Sequence, residues 1–337
     1  MSTQELSLSG RRVWVAGHRG MVGAALMRAL RREDAVLLAV TRAELDLRRQ
    51  SDTEAWMRHN RPDFIFVAAA RVGGILANQT YPAQFLYDNL QIQANILEAA
   101  RIVDVEKTML FGSSCIYPRL AAQPITEDSL LTGPLEETNQ WYAIAKIAGV
   151  KLAQAYRGEY GMNVVSVMPT NLYGPNDKYD LQNGHVAAAL LHRVHQARVV
   201  GAAQVSVWGT GTPRREFLHV DDLAQACIFL MKNWCSSDPI NIGSGEEVTI
   251  RGLAGLIADI VGWTGEFVFD TSKPDGTPRK WVDIGRLTAL GWTASIPLHR
   301  GLADAYRDFK ARWEAGEFAP NAARSLATQD SGKVLSQ

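Results

Sequence analysis

The sequence predicts an α/β protein built on a doubly wound parallel sheet, and three observations support this prediction. Short apolar runs typical of buried strands alternate with stretches of helical spacing in the first half of the chain. The first apolar run, 13–16, passes directly into a glycine-rich turn and then into a helical stretch. At 337 residues, with 47% hydrophobic and 21% charged side chains, the chain is long enough for a sizeable core and for two domains.

The glycine turn predicts a dinucleotide site. It carries Gly17, Gly20 and Gly23, leads into helix 24–30, and is followed by a second apolar strand at 35–40. Glycines at these positions let the backbone approach a pyrophosphate, while the amides at the helix start face the anion. Three glycines also occur in ordinary turns, so the prediction rests on the second strand, which lies at the distance that a βαβ unit requires.

The end of the second strand favours NADP over NAD. A unit that binds NAD places Asp or Glu there to contact the ribose 2′-hydroxyl. This chain has Thr41-Arg42 instead, and with Arg19 in the glycine turn two guanidiniums can flank a 2′-phosphate. Alternatively, both arginines are solvated surface side chains. Asp46, slightly later, is placed to meet the adenine edge.

The next two strands are predicted to carry functional groups at their carboxyl ends. Strand 63–70 ends in small residues, where a cofactor would cross the sheet edge, and is followed by a loop at 71–82 and a helix at 85–103. Strand 108–111 then opens into a turn that contains Ser113. Functional groups of doubly wound sheets lie at this edge, so the Ser113 hydroxyl can donate to a substrate carbonyl. Taken alone, such a serine is more often a turn residue.

A helix predicted to run to residue 160 carries Tyr142 and Lys146. Four positions apart, the phenol and the ammonium share one helical face. A positive charge beside the phenol favours phenolate, so we expect Lys146 to lower the pKa of Tyr142 toward the range of a general acid. The alternative is an ordinary surface pair, because tyrosine and lysine at this spacing are common on helices.

The second half of the chain departs from the regular alternation. Its predicted elements are strand 163–168, loop 176–183, helix 185–198, strand 205–208, a helix after 214–222 that ends at 232, strand 239–242, helix 250–261, strand 267–270, a basic loop 273–280 and helix 301–313. Residues 314–337 are polar and aperiodic, which predicts a disordered tail.

Composition excludes several classes of protein. Lys plus Arg equals Asp plus Glu at 35 each, so no net field favours nucleic acid or an acidic membrane surface. Residues 1–10 lack an apolar core of a signal peptide, and no segment approaches the ~20 apolar residues of a membrane span, so we expect a cytoplasmic protein. Cys115, Cys227 and Cys235 form neither a disulfide framework nor a zinc ligand set, so we expect reduced thiols and no metal.

With these motifs together, the chain resembles the extended short-chain dehydrogenase/reductases that act on nucleotide sugars. The resemblance covers about residues 10–313. The stretches that carry it are 17–23, 69–75, 112–118, 169–177 and 273–280. It implies a Rossmann-type NADP-binding domain at 10–176 and 215–247 and a smaller α/β substrate-binding domain at 177–214 and 248–313.

Within that family the chain is similar to the members that epimerise C3 and C5 of GDP-4-keto-6-deoxy-D-mannose and reduce its C4 ketone with NADPH. The resemblance implies that Ser113, Tyr142 and Lys146 form the reductase triad, with Cys115 and His185 as the base and acid of epimerisation. It assigns these residues to the cofactor: Gly17, His18, Arg19, Gly20, Met21, Val22, Gly23, Arg42, Asp46, Ala69, Lys146, Pro169, Asn171, Leu172 and His185. It assigns these residues to the GDP-sugar: Arg193, Trp208, Arg215, Asp275 and Lys280.

The resemblance also implies a homodimer, formed by the helices at 85–103 and 141–160. Trp141 and Arg214 depart from the family pattern and bear on substrate fit. Two alternatives stay open. A related reductase of the colitose or deoxytalose type would keep the triad and change the sugar pocket. A non-catalytic NADP-sensing regulator would keep the glycine turn and lose the triad.

Overall fold

We describe a computed structural model of the chain for residues 6–181, 184–273 and 275–318. Its strands are β1 Arg12–Ala16, β2 Val36–Leu38, β3 Phe64–Val67, β4 Lys107–Phe111, β5 Val164–Pro169, β6 Asn171–Tyr173, β7 Gln204–Trp208, β8 Arg214–His219, β9 Ile240–Ile242, β10 Glu247–Thr249, β11 Glu266–Asp270 and β12 Arg279–Lys280. Its α-helices are α1 Met21–Leu30, α2 Gln50–Asn60, α3 Ile75–Thr80, α4 Pro82–Ile102, α5 Gln140–Tyr160, α6 Val186–Val200, α7 Val220–Asn233, α8 Ile250–Val261, α9 Gly285–Ala289 and α10 Leu298–Glu314.

The main sheet has six strands in the order β2-β1-β3-β4-β5-β9, and all its neighbours pair in parallel. Side chains along a strand point alternately to its two faces. Val13 and Phe64 therefore pack with α1 and α7 on one face, while Trp14 and Ile65 pack with α2 and α4 on the other. Because helices cover both faces, the predicted doubly wound parallel sheet is confirmed.

A smaller α/β region adjoins this sheet. Strands β7 and β11 pair in parallel, and β8 lies between β10 and β12 while also pairing with β6. Helices α6, α8 and α10 bury their apolar sides together in a second core that includes Val194, Ile257 and Phe309. Strand β8 connects the two regions, since Phe217 belongs to the second core and Leu218 to the first.

Several elements differ from the sequence predictions. Helix α2 was not predicted, because among its residues only Thr53 and Met57 are buried and the pattern of an apolar face is weak. The predicted loop 71–82 contains the short helix α3, and α4 begins at Pro82, a residue suited to the first turn of a helix. The predicted loop 273–280 ends in β12.

The predicted tail begins with ordered chain. Helix α10 includes Glu314, and Phe318 packs on Tyr179, His192 and Phe309. The remainder of the predicted tail, 319–337, lies outside the described residues. Among the helices that the structure describes, none is long and apolar enough to cross a membrane.

Candidate active site

The glycine turn between β1 and α1 leaves no room for side chains. Gly17 has a φ of 85°, and a Cβ there would lie 2.7 Å from the backbone of Ala69 at the end of β3. A Cβ on Gly23 would overlap the carbonyl group of Gly17. Gly20 is the N-cap of α1 and provides no side-chain cap. The turn therefore presents bare backbone and helix-end amides at the carboxyl edge of the sheet, which fits a dinucleotide pyrophosphate.

The two arginines of the predicted 2′-phosphate site are exposed. Near them, the carboxylate of Glu44 accepts hydrogen bonds from the Thr41 amide at 2.9 Å and the Thr41 hydroxyl at 2.7 Å. These bonds lower the pKa of Glu44, and the charges of Arg19 and His18 lower it further. Arg19 thus lies close to the turn that follows β2, the turn that carries Arg42, and the shared 2′-phosphate site stays a prediction.

Asp46 is held by its neighbour Arg48. The guanidinium Nε and Nη2 lie 2.6 to 3.1 Å from the Asp46 carboxylate, and this pairing lowers the pKa of Asp46 to about 2. Arg48 also reaches the buried Asp88 at 3.2 Å. Because the carboxylate is engaged in this network, the adenine contact of Asp46 stays a prediction.

Four other residues assigned to the cofactor lie near the same sheet edge. Ala69 follows β3, Pro169 ends β5, and Asn171 and Leu172 lie in β6. The Asn171 amide donates to the Glu216 carbonyl oxygen at 2.8 Å, which ties this segment to β8. The carboxyl ends of β1, β3, β4 and β5 therefore form one continuous rim.

Ser113 and Lys146 lie at the carboxyl end of β4. Ser113 caps a short 3-10 turn, 114–116, where its hydroxyl oxygen accepts the Cys115 amide at 3.2 Å. Lys146, on α5, is buried and its ammonium donates to the Phe111 carbonyl oxygen at 2.7 Å. Burial lowers the pKa of Lys146 to about 8. Both residues are thus held at the carboxyl end of β4.

Tyr142 corrects one expectation. Its pKa is raised by burial and by the negative charge of Cys115, and a hydrogen bond with Ser113 only partly opposes this. We expected Lys146 to lower it, but the Lys146 ammonium lies 5.8 Å from the phenol ring centroid and bonds to Phe111. A phenol with a raised pKa keeps its proton at neutral pH, so Tyr142 is available as a proton donor.

Cys115 lies near two positively charged side chains, Lys280 and Arg215. Its Sγ accepts a hydrogen bond from the Lys280 ammonium at 3.0 Å. Burial acts to raise the pKa of Cys115, but the charge and hydrogen bond of Lys280, a hydrogen bond with Ser113 and the charge of Arg215 together lower it. A thiol with a lowered pKa is a thiolate over more of the neutral range, and a thiolate can accept a proton.

His185 is exposed at the N-cap of α6 and lies near Asp177, a buried carboxyl that sequence reasoning missed. Burial raises the pKa of Asp177, and the charge of His185 opposes the rise. The Asp177 carboxylate accepts the Lys178 amide at 2.6 Å. An imidazole at this position is a possible proton donor or acceptor, because histidine is the side chain that most often exchanges protons near neutral pH.

The residues assigned to the GDP-sugar fall into two groups. Arg193 and Trp208 line one cleft of about 410 Å³ between α6 and β7. Arg215 and Lys280 are side by side, because β12 pairs with β8 in the register Lys280 to Arg215. The Asp275 carboxylate accepts the Thr210 amide at 2.7 Å and the Thr210 hydroxyl at 2.9 Å, which holds its loop against the turn after β7. Its negative charge also acts on Arg215.

Glu216 is a second buried carboxyl that the sequence analysis did not single out. It is fully buried in β8, and its carboxylate accepts the Gly245 amide at 2.9 Å and the Val282 amide at 3.1 Å. Burial raises its pKa, and these hydrogen bonds oppose the rise. The sequence offers one sign of this residue: a single carboxylate next to the apolar Phe217, in a stretch that can form a buried strand.

Together the fold and the site define an NAD(P)-dependent oxidoreductase. The parallel sheet carries a glycine turn after its first strand, and Ser113, Tyr142 and Lys146 meet at its carboxyl edge. Residues 13–243 match the NAD dependent epimerase/dehydratase family, and the chain belongs to this family.

Two relatives and one solved structure are closely similar. The GDP-L-fucose synthase of Sinorhizobium fredii is 52% identical over 302 residues, which cover 90% of this chain and 96% of that protein. The GDP-L-fucose synthase of Escherichia coli is 51% identical over 312 residues, with 90% and 97% covered. The crystal structure of a GDP-L-fucose synthetase from Naegleria fowleri bound to NADP is 30% identical with a TM-score of 0.86, and 93% of this chain and 97% of that chain are covered.

Proposed function

We propose that the protein is an NADPH-dependent epimerase-reductase that converts GDP-4-keto-6-deoxy-D-mannose to GDP-L-fucose. The observation that carries the proposal is the electrostatic contact between Cys115 and Tyr142. The negative charge of Cys115 raises the pKa of Tyr142, and both side chains are hydrogen-bonded to Ser113. A base and an acid held this close can work on one ketone and its neighbouring carbons. The two relatives with this name support the choice of substrate.

Epimerisation comes first. The C4 ketone acidifies the protons at C3 and C5, and the Cys115 thiolate removes such a proton while the electron pair moves to the ketone oxygen. Ser113 and Tyr142 donate hydrogen bonds to the resulting enolate oxygen. His185 returns a proton to the opposite face, which inverts the carbon. His185 suits this role because an imidazole can donate a proton near neutral pH and its side chain is exposed at the start of α6.

Reduction follows at C4. When bound, NADPH supplies the hydride. The bare backbone at Gly17 and Gly23 would hold the pyrophosphate, and Arg19 and Arg42 would hold the 2′-phosphate. Tyr142 donates its proton to the ketone oxygen as the alcohol forms. Lys146, fixed by its hydrogen bond to the Phe111 carbonyl oxygen, would support the phenol and the nicotinamide ribose.

The GDP portion lies along the second region. The planar fork of Arg215 suits the diphosphate. Burial lowers its pKa, while the negative charges of Cys115, Glu136 and Asp275 raise it, so a phosphate here meets a partly desolvated cation. Half of the Trp208 surface is exposed, and Arg193 lines the same cleft. The purine ring can therefore stack on the indole with the guanidinium nearby.

The remaining proposals concern organisation. We propose that residues 10–176 and 215–247 form the NADP-binding domain and that residues 177–214 and 248–313 form the substrate-binding domain. The two separate hydrophobic cores support this division. Homodimer formation through α4 and α5 is supported by their exposed apolar side chains, Tyr87, Trp141 and Ile144. A cytoplasmic location is supported by the three free cysteines.

The test is NADPH oxidation with GDP-4-keto-6-deoxy-D-mannose, followed by chromatography of the product against authentic GDP-L-fucose. We expect oxidation of NADPH and formation of GDP-L-fucose. Formation of a C4 reduction product without inversion at C3 and C5 would indicate a deoxytalose-type reductase. NADPH binding without oxidation of any GDP-4-keto sugar would indicate a regulator, and either result would overturn the proposal.

A further inference from the structure

The ammonium of Lys280 points at the sulfur of Cys115, not toward a neighbouring carboxylate. Its Nζ lies 3.0 Å from Sγ, within the distance of a charged hydrogen bond to sulfur. The preceding residue, Arg279, points the other way and binds Glu247 at 2.7 Å and 3.0 Å. The two consecutive cations of β12 therefore lie on opposite faces of the strand: Lys280 contacts the thiol, and Arg279 forms an ion pair with Glu247.

The backbone on both sides of Lys280 is tied down. Before it, the Arg214 amide donates to the Pro278 carbonyl oxygen at 2.9 Å. After it, the Val282 amide donates to the buried carboxylate of Glu216 at 3.1 Å. Between them, the Trp281 amide donates to the Gln123 side chain at 2.9 Å. Because the backbone of Lys280 is held on both sides and by its pairing with β8, its ammonium is already placed at the sulfur before substrate binds. Little conformational entropy of this segment is then lost when substrate binds.

We propose that Lys280 is the group that keeps Cys115 in the thiolate form, and so serves the chemistry of epimerisation in addition to any contact with substrate. The inference rests on the proposed role of Cys115 as base. Removal of a C3 or C5 proton breaks the C–H bond, forms an S–H bond and leaves the electron pair in the enolate. The thiol must then lose that proton to solvent before the second carbon can react. A fixed ammonium favours this loss each time.

The two cations beside Cys115, Lys280 and Arg215, have different roles. Lys280 contacts the sulfur directly, whereas the Arg215 guanidinium donates to the Arg214 carbonyl oxygen at 2.9 Å and acts on Cys115 through its charge. Lys280 should therefore control the ionisation of the thiol, and Arg215 should control the affinity for GDP.

The test measures the ionisation of Cys115 without turnover. The rate of alkylation by iodoacetamide is followed across a pH series in a Cys235→Ser background, because Cys235 is exposed and would also react. Cys227 is buried in the core. The variants are Lys280→Met, which removes the charge, Lys280→Arg, which keeps it, and Arg279→Met as the matched control on the same strand.

In the parent we expect a Cys115 pKa below the ordinary value of about 8.5. Lys280→Met should raise it by about 1–3 units, the usual effect of losing an opposite charge at this distance. Lys280→Arg should keep most of the depression, and Arg279→Met should match the parent. Solvent deuterium exchange into the substrate should be slow in Lys280→Met at neutral pH and recover as the pH is raised.

An alkylation pKa in Lys280→Met equal to that of the parent would overturn the inference. NADP binding checks that each variant is folded, and Lys280→Gln, which is neutral and polar, replaces Lys280→Met if that variant fails the check. The two proposals fail differently. If Cys115→Ser retains deuterium exchange, the role of Cys115 as base is wrong even when the Lys280 shift is present. If Cys115→Ser loses exchange and Lys280→Met shows no shift, only the inference about Lys280 is wrong.

Discussion

Replacing Tyr142 with Phe should separate catalysis from stability. The ring packs edge-on against Phe85 with centroids 6.5 Å apart, and Phe preserves this contact. The variant loses the hydroxyl and its hydrogen bond with Ser113, which contributes about 0.5–1.5 kcal/mol to folding. The same hydroxyl supplies the proton in reduction, and loss of a general acid costs about 100-fold to 10,000-fold in rate. That is about 3–5 kcal/mol of activation free energy, several times the effect on stability.

The assay compares steady-state NADPH oxidation with the midpoint of urea unfolding in Tyr142→Phe and in a control, Tyr156→Phe. Tyr156 is on the same helix and donates to Glu98 at 2.7 Å, away from the sheet edge. Both variants should lose a similar, small amount of stability, bind NADPH normally and differ only in turnover. Reduction by Tyr142→Phe at more than a tenth of the parent rate would refute the role of Tyr142 as the acid.

Three further predictions concern the cofactor, the substrate and acid stability. Arg42→Asp should narrow or reverse the preference for NADPH over NADH, because a carboxylate repels the 2′-phosphate; equal kcat/KM values for both cofactors in the parent would contradict this. Arg215→Ala should raise the KM for substrate and weaken inhibition by GDP, so unchanged GDP affinity would remove Arg215 from the site. Arg48 lowers the pKa of Asp46 from 3.8 to about 2, so the stability that this pair contributes is present above pH 3.8 and is lost as the pH falls toward 2. Asp46→Asn should flatten that part of the acid unfolding curve, and an unaltered curve would show that the pair does not stabilise the fold.

The sequence predicted the main sheet because its strands are buried on both faces. Phe64 to Val67 are all buried, so this strand forms a continuous apolar run that is visible without any contact information. Helix α2 has no comparable signal, since few of its residues contact the core. Strand β8 was missed for a related reason: it carries the charged residues Arg215 and Glu216, and the buried Glu216 carboxylate is satisfied by the amides of Gly245 and Val282, which are distant in sequence.

The residues of the site could be predicted from the sequence, but the charges around each of them could not. Tyr142 and Lys146 are four residues apart, and their shared face follows from helical spacing. The pairing of Lys280 with Cys115 joins residues 165 positions apart and depends on the register of β12 with β8, which no local pattern specifies. The pKa of Tyr142 was predicted in the wrong direction because burial and the Cys115 charge raise it, while the Lys146 ammonium bonds to the Phe111 carbonyl oxygen instead.

The central claim is that Cys115 is the base of epimerisation, and replacing it with Ser tests this most directly. Serine is similar in size but far too weakly acidic to act in its place, so Cys115→Ser should fold and bind NADPH. Incubation with substrate in deuterium oxide, followed by mass spectrometry and product chromatography, should show no incorporation of deuterium at C3 and C5 and no GDP-L-fucose. Slow reduction of the uninverted ketone should persist, because Ser113, Tyr142 and Lys146 are intact. Deuterium incorporation at both carbons equal to that of the parent would show that another group is the base.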